Sequence, residues 1–213
     1  RGAGVERGPA SILYVDTVNG TTGASGASWG EAILTMAAAV AAAASGSTIF
    51  FRGRVSEHVT TPVNVFDVSI IGVSNRPRHA DATPAGGNLS AQWQPPAAAA
   101  EPLLKIIQQG WRLENILFDA PAAAAAVQLF RDGGAGDAER DASHASISGC
   151  RFVGGATGIE DSGGAGHLLV NDCEFHDLTD GIKSVTGAGI GQPLLRSTIR
   201  NSPRSGRSMM GTT

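Results

Sequence analysis

The most constraining feature of this sequence is a segment that repeats itself between residues 144 and 202. Three residue pairs recur at the same spacing of 23 residues: Cys150 and Cys173, Phe152 and Phe175, and Ile159 and Ile182. A third unit begins at residue 195, where Ser197 aligns with Cys173. A fixed period of this length is typical of solenoids, in which each repeat is one coil stacked on the next. The repeat therefore predicts a solenoid, whatever the local propensities.

Apolar and polar residues alternate within each unit, which is the periodicity of a β-strand with one buried face. Equivalent residues of stacked coils lie about 4.8 Å apart along parallel strands. We therefore expect Cys150 and Cys173 in one inward row, and Phe152 and Phe175 in another.

An earlier unit fits the same pattern. The segment that ends at Phe118 aligns with the one that ends at Phe152, which puts Ile116 in the cysteine row. Residues 127–129 then align with 158–160. Two inward cysteines on adjacent coils either act as small buried apolar side chains, which we favour, or form a stacked disulfide.

The first fifty residues predict a strand, a loop, a helix and a second strand. The strand at Ile12–Asp16 is followed by a Gly/Ser/Thr loop over 17–27. Ser28 and Glu31 form a capping box at the start of a helix over 28–44. That helix carries one apolar stripe, made of Trp29, Ile33, Met36, Val40 and Ala44.

The order of these motifs is similar to that of a known superfamily. The strand Tyr14-Val15-Asp16 is followed by a Gly-rich loop and an alanine-rich helix that starts at Ser28-Trp29. The segment 45–53 (SGSTIFFRG) follows, and the second strand is expected over 48–53 within it. This order resembles the N-terminal cap and first coil of right-handed parallel β-helix proteins, the pectin-lyase-like superfamily. The resemblance implies an all-β solenoid, a short right-handed parallel β-helix with an N-terminal capping α-helix. Such a helix would cover the apolar end of the stack.

We expect three regions on this basis. The N-terminal lead and capping helix occupy 1–47, the parallel β-helix 48–202, and a polar C-terminal tail 203–213. Two segments depart from the repeat, at 74–101 and 131–144, and are interpreted as excursions from the solenoid.

Charge and hydropathy limit the partners. The net charge is −3, which provides no electrostatic basis for binding nucleic acid or an anionic membrane. No apolar run approaches the roughly 20 residues that a spanning helix needs. We therefore expect neither a nucleic-acid nor a membrane partner.

Four carboxylates are the candidates for catalysis: Glu160, Asp161, Glu174 and Asp177. Glycoside hydrolysis needs an acid and a base on either side of the scissile bond. The alternative, which we favour, is a structural role. Arg151 would lie beside Glu174, and Glu160 beside Lys183, as opposite charges do on a solvated sheet, while Asp177 serves a turn. Convergence in one groove would favour catalysis over this alternative.

A second acidic group consists of Asp132, Asp137, Glu139 and Asp141. Carboxylate oxygens suit Ca²⁺, which the lyases of the resembling superfamily would use. The Gly-rich segment 133–137 is similar to a calcium-binding repeat, but the motif occurs once and its Asp falls one position early. We favour a solvated loop here and expect no metal or other cofactor, with Ca²⁺ as the weaker alternative.

The first excursion holds the candidate binding residues: Trp93, Arg76, Arg78 and His79. An aromatic ring flanked by guanidinium groups suits a sugar ring or a partner protein. The alternative is that Trp93 packs the excursion onto the solenoid.

We hold three hypotheses for function. The favoured one is a non-catalytic structural or binding module of a phage or phage-like particle (spike, tail or capsid decoration), with host glycans as a further contact. Its partners would be other copies of the chain, a trimer being one arrangement, and other particle proteins. The location would be the virion or an extracellular surface. The alternatives are a polysaccharide lyase or glycoside hydrolase acting on acidic surface polysaccharide, and a secreted or surface bacterial adhesin.

Overall fold

The computed structural model describes residues 11–73, 91–96, 100–131, 141–163 and 166–185, with the backbone of 200–201 and 210–212. In these residues the chain forms three parallel sheets of six strands each.

From β2 to β16, successive strands belong to the three sheets in turn. Sheet A contains β1 Ile12–Asp16, β2 Thr48–Arg52, β5 Ser69–Gly72, β8 Arg112–Glu114, β11 Ser146–Ser148 and β14 Leu169–Asn171. Sheet B contains β3 Arg54–Val55, β6 Gln92–Trp93, β9 Leu117–Asp119, β12 Arg151–Val153, β15 Glu174–His176 and β17 Arg200–Asn201. Sheet C contains β4 Val59–Thr60, β7 Leu104–Ile106, β10 Ala125–Phe130, β13 Thr157–Ser162, β16 Asp180–Ser184 and β18 Met210–Thr212.

One coil is therefore a strand from sheet A, one from sheet B and one from sheet C. Each strand pairs in parallel with the equivalent strands of the coils before and after it. Five coils, beginning at β2, β5, β8, β11 and β14, have a strand in all three sheets. The expectation of an all-β parallel solenoid is confirmed.

The corner between sheets A and B is made by single residues with left-handed backbone. Asn115, Gly149 and Asp172 occupy it in successive coils with φ values of 56°, 60° and 49°. Hydrogen bonds continue through the corner, since the Gly149 N–H donates to the carbonyl of Asn171. A Cβ on Gly149 would lie 2.7 Å from the Asn115 Oδ1. This corner therefore requires residues that tolerate positive φ.

The core contains a continuous ladder of aromatic rings. Phe152 stacks on Phe118 and on Phe175, with 5.0 Å between ring centroids in both pairs. Trp93 continues the stack at 5.9 Å from Phe118. Its indole N–H donates to the Glu57 carbonyl at 2.9 Å. The predicted phenylalanine row is confirmed and extends further than expected.

The predicted cysteine row is also confirmed. Cys150 and Cys173 are free thiols, each 1% exposed, and Ile116 is fully buried in the preceding coil. The Glu174 N–H donates to the Cys150 carbonyl, and the Arg151 N–H to that of Ile116. Of the two alternatives for the cysteines, the structure contains two free thiols rather than a disulfide.

Two predicted alignments are wrong in register. Val127 lies opposite Ile159, one residue beyond the expected partner, because the loop before β10 changes the phase of the repeat. The shift puts Val127 in the core and Gln128 outside, since neighbouring side chains of a strand point to opposite faces. In the third unit Glu174 lies opposite Arg200, farther along the chain than the alignment with Ser197 implies.

The predicted helix over 28–44 is two shorter elements. A 3₁₀ turn spans Trp29–Glu31, and α1 spans Met36–Ala42. Thr35 is the N-cap of α1, whereas the Ser28 side chain makes no capping bond. The predicted capping box is therefore wrong. The backbone between the two elements pairs with β1 instead, because the Ile33 N–H donates to the Tyr14 carbonyl.

The excursions are shorter than expected. The segment 74–101 contains β6, and the segment 131–144 ends in a turn that leads into β11. Within the expected C-terminal tail, 210–212 forms β18 and pairs with β16. Among the described residues, the helices are all too short or too polar to span a membrane.

Candidate functional site

The carboxylate of Glu160 lies on the outer face of sheet C and is held by two neighbours. It accepts hydrogen bonds from the Gln128 Nε2 at 2.8 Å and from the Ser162 Oγ at 2.7 Å. Lys183 lies opposite it on the next strand, so the predicted neighbours are confirmed. Asp161 faces the other way: it is 6% exposed and lies between Leu129 and Ser184 in the inward register.

Glu174 lies on a different sheet from Glu160. Its carboxylate is 3.8 Å from the Arg151 Nε and 3.4 Å from the His176 Nε2, on the outer face of sheet B. The predicted Arg151–Glu174 neighbours are therefore confirmed. Asp177 begins the corner between sheets B and C with a φ of 53°.

The four catalytic candidates thus lie in different places. Two are on the outer faces of different sheets, one points into the interior, and one is at a corner between sheets. Each has a position that the solenoid itself explains: an outward ladder, an inward ladder or a left-handed turn. The structure does not bring them to one face, which is the arrangement that catalysis by an acid and a base would need.

The candidate metal ligands Asp132, Asp137 and Glu139 lie outside the described residues. Asp141 accepts a hydrogen bond from the Ser143 N–H and another from its hydroxyl, which is the role of a turn residue. In the described ranges, no three His, Cys, Asp or Glu residues are grouped as metal ligands.

The candidate binding residues have a mixed outcome. Arg76, Arg78 and His79 lie outside the described residues. Trp93 is fully buried between Phe51 and Phe118. Of the two alternatives for Trp93, burial favours packing over binding, since the ring continues the aromatic ladder of the core.

An aromatic surface lies elsewhere, on the outer face of sheet A. Tyr14 and Phe50 point outward from adjacent strands, with 5.8 Å between their ring centroids. Trp29 packs edge-to-face on Tyr14 at 4.9 Å. The Arg52 guanidinium lies 4.4 Å from the centre of the Trp29 ring. We call these four residues the outer aromatic cluster.

Arg52 is fixed in place by Asp16. The Arg52 Nε and one terminal nitrogen lie 2.9 and 2.8 Å from the Asp16 Oδ2. Burial of Asp16 by itself raises its pKa, but hydrogen bonds from Asn19, Val18 and Arg52 outweigh burial and lower the pKa overall. The guanidinium therefore keeps one orientation over the Trp29 ring, and its charge is neutralised.

Apolar side chains surround the cluster. Ile71 continues the row of Tyr14 and Phe50 on the next strand. Ile12 is 54% exposed and Val73 40% exposed at the two ends of the same face. A sheet face turned to solvent normally carries polar residues, so an apolar patch of half-buried rings with exposed Ile12 and Val73 at its ends is unusual here.

The other outer faces are more polar. On sheet B, burial raises the pKa of Asp119, and the nearby Arg54 opposes that change only in part. On sheet C, the Lys105 Nζ lies 3.6 Å from the centre of the Phe130 ring. These faces provide matched controls for the aromatic face of sheet A.

Sequence reasoning missed the outer aromatic cluster, although a signal for it exists. The strand β2 reads Thr-Ile-Phe-Phe-Arg, so one of two adjacent phenylalanines must point away from the core. Tyr14 has the same outward phase in β1. Comparisons with protein-family models, with curated proteins and with solved structures found no match for this chain.

Proposed function

We propose that this chain is a non-catalytic structural module of an assembly, and that the outer aromatic cluster is its contact with another copy of the chain. The cluster is the observation that carries the proposal. Three aromatic rings and a fixed arginine stand outside a core that already has its own aromatic ladder. Trp, Tyr and Arg are the residues that dominate protein–protein contact energies.

The surroundings favour a protein partner over a glycan. Ile12, Ile71 and Val73 give the cluster an apolar rim, whereas a sugar site needs several polar groups that fix hydroxyls. The Arg52–Asp16 pair leaves the cluster without net charge. The chain as a whole carries −3, so two copies repel each other little.

The finer parts of this proposal come from the sequence resemblance. They are a right-handed coil, membership of the pectin-lyase-like superfamily, and a place in the spike, tail or capsid decoration of a phage or phage-like particle. For an N-terminal cap, support comes from α1, whose Met36, Ala39 and Val40 pack into the same core as the coils. The Glu57 carboxylate accepts the Met36 and Ala37 N–H groups and holds the helix there.

The test is the mass of the purified chain by light scattering over a range of concentrations. We expect an oligomer, and we expect Trp29→Ala to weaken its association by about 30-fold, as loss of a contact worth about 2 kcal/mol does. Phe130→Ala is the matched control, since it removes an outward aromatic ring from sheet C and should leave the mass unchanged. Circular dichroism checks that both variants are folded.

Three results would overturn the proposal. A monomer at every concentration removes the contact between copies. Loss of binding to a neutral oligosaccharide in Trp29→Ala would make the cluster a glycan site. Cleavage of an acidic polysaccharide, lost in Glu160→Gln or Glu174→Gln, would make the chain a depolymerase.

A further inference from the structure

The two cysteines of the chain occupy equivalent positions in adjacent coils. Arg151 pairs with Glu174, so the preceding residues, Cys150 and Cys173, lie opposite each other on parallel strands. Such residues are about 4.8 Å apart at their Cα atoms, and disulfides bridge Cα separations of about 4.4–6.8 Å. Both side chains point into the core, each directly after a left-handed corner residue.

The two thiols also differ in the direction in which the fold changes their pKa. A hydrogen bond from the Cys150 thiol lowers the pKa of Cys173, while burial raises the pKa of Cys150. Each sulfur also contacts two backbone carbonyls. The Cys150 Sγ lies 3.4 Å from that of Ser148 and 3.8 Å from that of Leu113. The Cys173 Sγ lies 3.4 Å from that of Asn171 and 3.5 Å from that of Ile147. In the folded chain Cys173 therefore loses its proton more readily than Cys150, which burial keeps protonated.

We propose that Cys150 and Cys173 form a disulfide that closes one coil of the solenoid as a covalent ring. The oxidant is a low-molecular-weight disulfide. The thiolate of one cysteine attacks one of its sulfurs and releases the first thiolate. The thiol of the other cysteine loses its proton to solvent, and its sulfur attacks the protein sulfur of this mixed disulfide and releases the second thiolate. Two protein thiols are oxidised, and one external disulfide is reduced to two thiols.

The reaction takes place while the chain folds, because in the native fold both thiols are 1% exposed. The ring encloses β12, β13 and β14 and joins the last two coils that have strands in all three sheets. Crosslinking a loop of this size restricts the unfolded chain. We expect the melting temperature to rise by roughly 5–10 °C relative to the reduced protein.

The experiment is refolding of the full chain in a mixture of reduced and oxidised glutathione, with the reduced refolded protein as reference. Free thiols are then alkylated under denaturing conditions, and the mass is measured. We expect no alkylation, a mass about 2 Da below the reduced chain, and a peptide that joins Cys150 to Cys173. The melting temperature is measured with and without a reductant.

Cys150→Ala and Cys173→Ala are the matched controls, and in both the melting temperature should not respond to the reductant. Folded wild-type protein that is still alkylated at both cysteines would overturn the proposal. So would a crosslink between two chains, or an oxidised form that melts below the reduced one.

Discussion

Replacing Phe152 with alanine tests the packing that holds the coils together. Phe152 is fully buried, and its ring is nearly parallel to those of Phe118 and Phe175, with interplanar angles of 6° and 7°. Truncating a buried phenylalanine costs about 3–5 kcal/mol, and each aromatic pair adds about 0.5–1.5 kcal/mol beyond burial. With two stacked neighbours, Phe152→Ala should cost about 5 kcal/mol, the upper end of the range.

Phe175 provides the comparison, because it is 4% exposed and has one stacked neighbour in the described ladder. We expect Phe175→Ala to cost about 3–4 kcal/mol. The assay is urea denaturation followed by circular dichroism, with the free energy of unfolding extrapolated to water. Phe130→Ala, on the outer face of sheet C, should cost about 1 kcal/mol or less.

The order of the three losses in unfolding free energy is the most discriminating result of this test. A cost below about 2 kcal/mol for Phe152→Ala would show that the cavity it leaves is not in a packed ladder. A larger cost for Phe175→Ala than for Phe152→Ala would refute the argument from two neighbours. If Phe152→Ala does not fold, Phe152→Leu keeps most of the volume and should cost about 1.5 kcal/mol or less.

Three further substitutions test polar groups that the fold buries fully or in part. Because the pKa of Asp16 is lowered in the fold, its contribution is present above the ordinary pKa of Asp and is lost as the pH falls through the native pKa. Asp16→Asn should therefore lower the urea midpoint at neutral pH and flatten its decline in acid. The raised pKa of Asp119 has the opposite sign, so Asp119→Asn should raise the urea midpoint at neutral pH and change it little below the ordinary pKa of Asp. Gln108 is 1% exposed and neither its Oε1 nor its Nε2 has a partner, so Gln108→Met should stabilise the fold by about 1 kcal/mol; a loss of stability would refute this reasoning.

The repeat allowed much of the fold to be predicted. Residues that recur at one spacing in a strand pattern must stack, so the rows of Phe152 and Cys150 followed directly from the sequence. The register across the longer loops did not follow. Nothing local states how many residues a loop takes before β10 resumes the pattern, and an error of one residue exchanges the faces of the strand.

The candidate sites were less predictable. The Arg151–Glu174 and Glu160–Lys183 neighbours followed from the repeat, because in-register coils place equivalent residues side by side. The sequence left Trp93 open between binding and packing, because its surroundings lack the repeat; the structure shows that its side chain continues the ladder of Phe118. Helical periodicity over 28–44 was real, but pairing of Ile33 with β1 overrode it in part.

The sequence by itself determined that this chain stacks parallel strands around rows of Phe, Cys and aliphatic residues, because a two-residue alternation at a fixed period has no other way to bury its apolar face. Only the tertiary structure decided which aromatic residues are inside and which are outside. In the sequence, Trp93 and Trp29 both lie next to polar loop segments. Whether each ring is buried depends on the coil, distant in sequence, against which it packs. That choice is made by the register of strands far apart in sequence, and it is the reason why the outer aromatic cluster lies on sheet A.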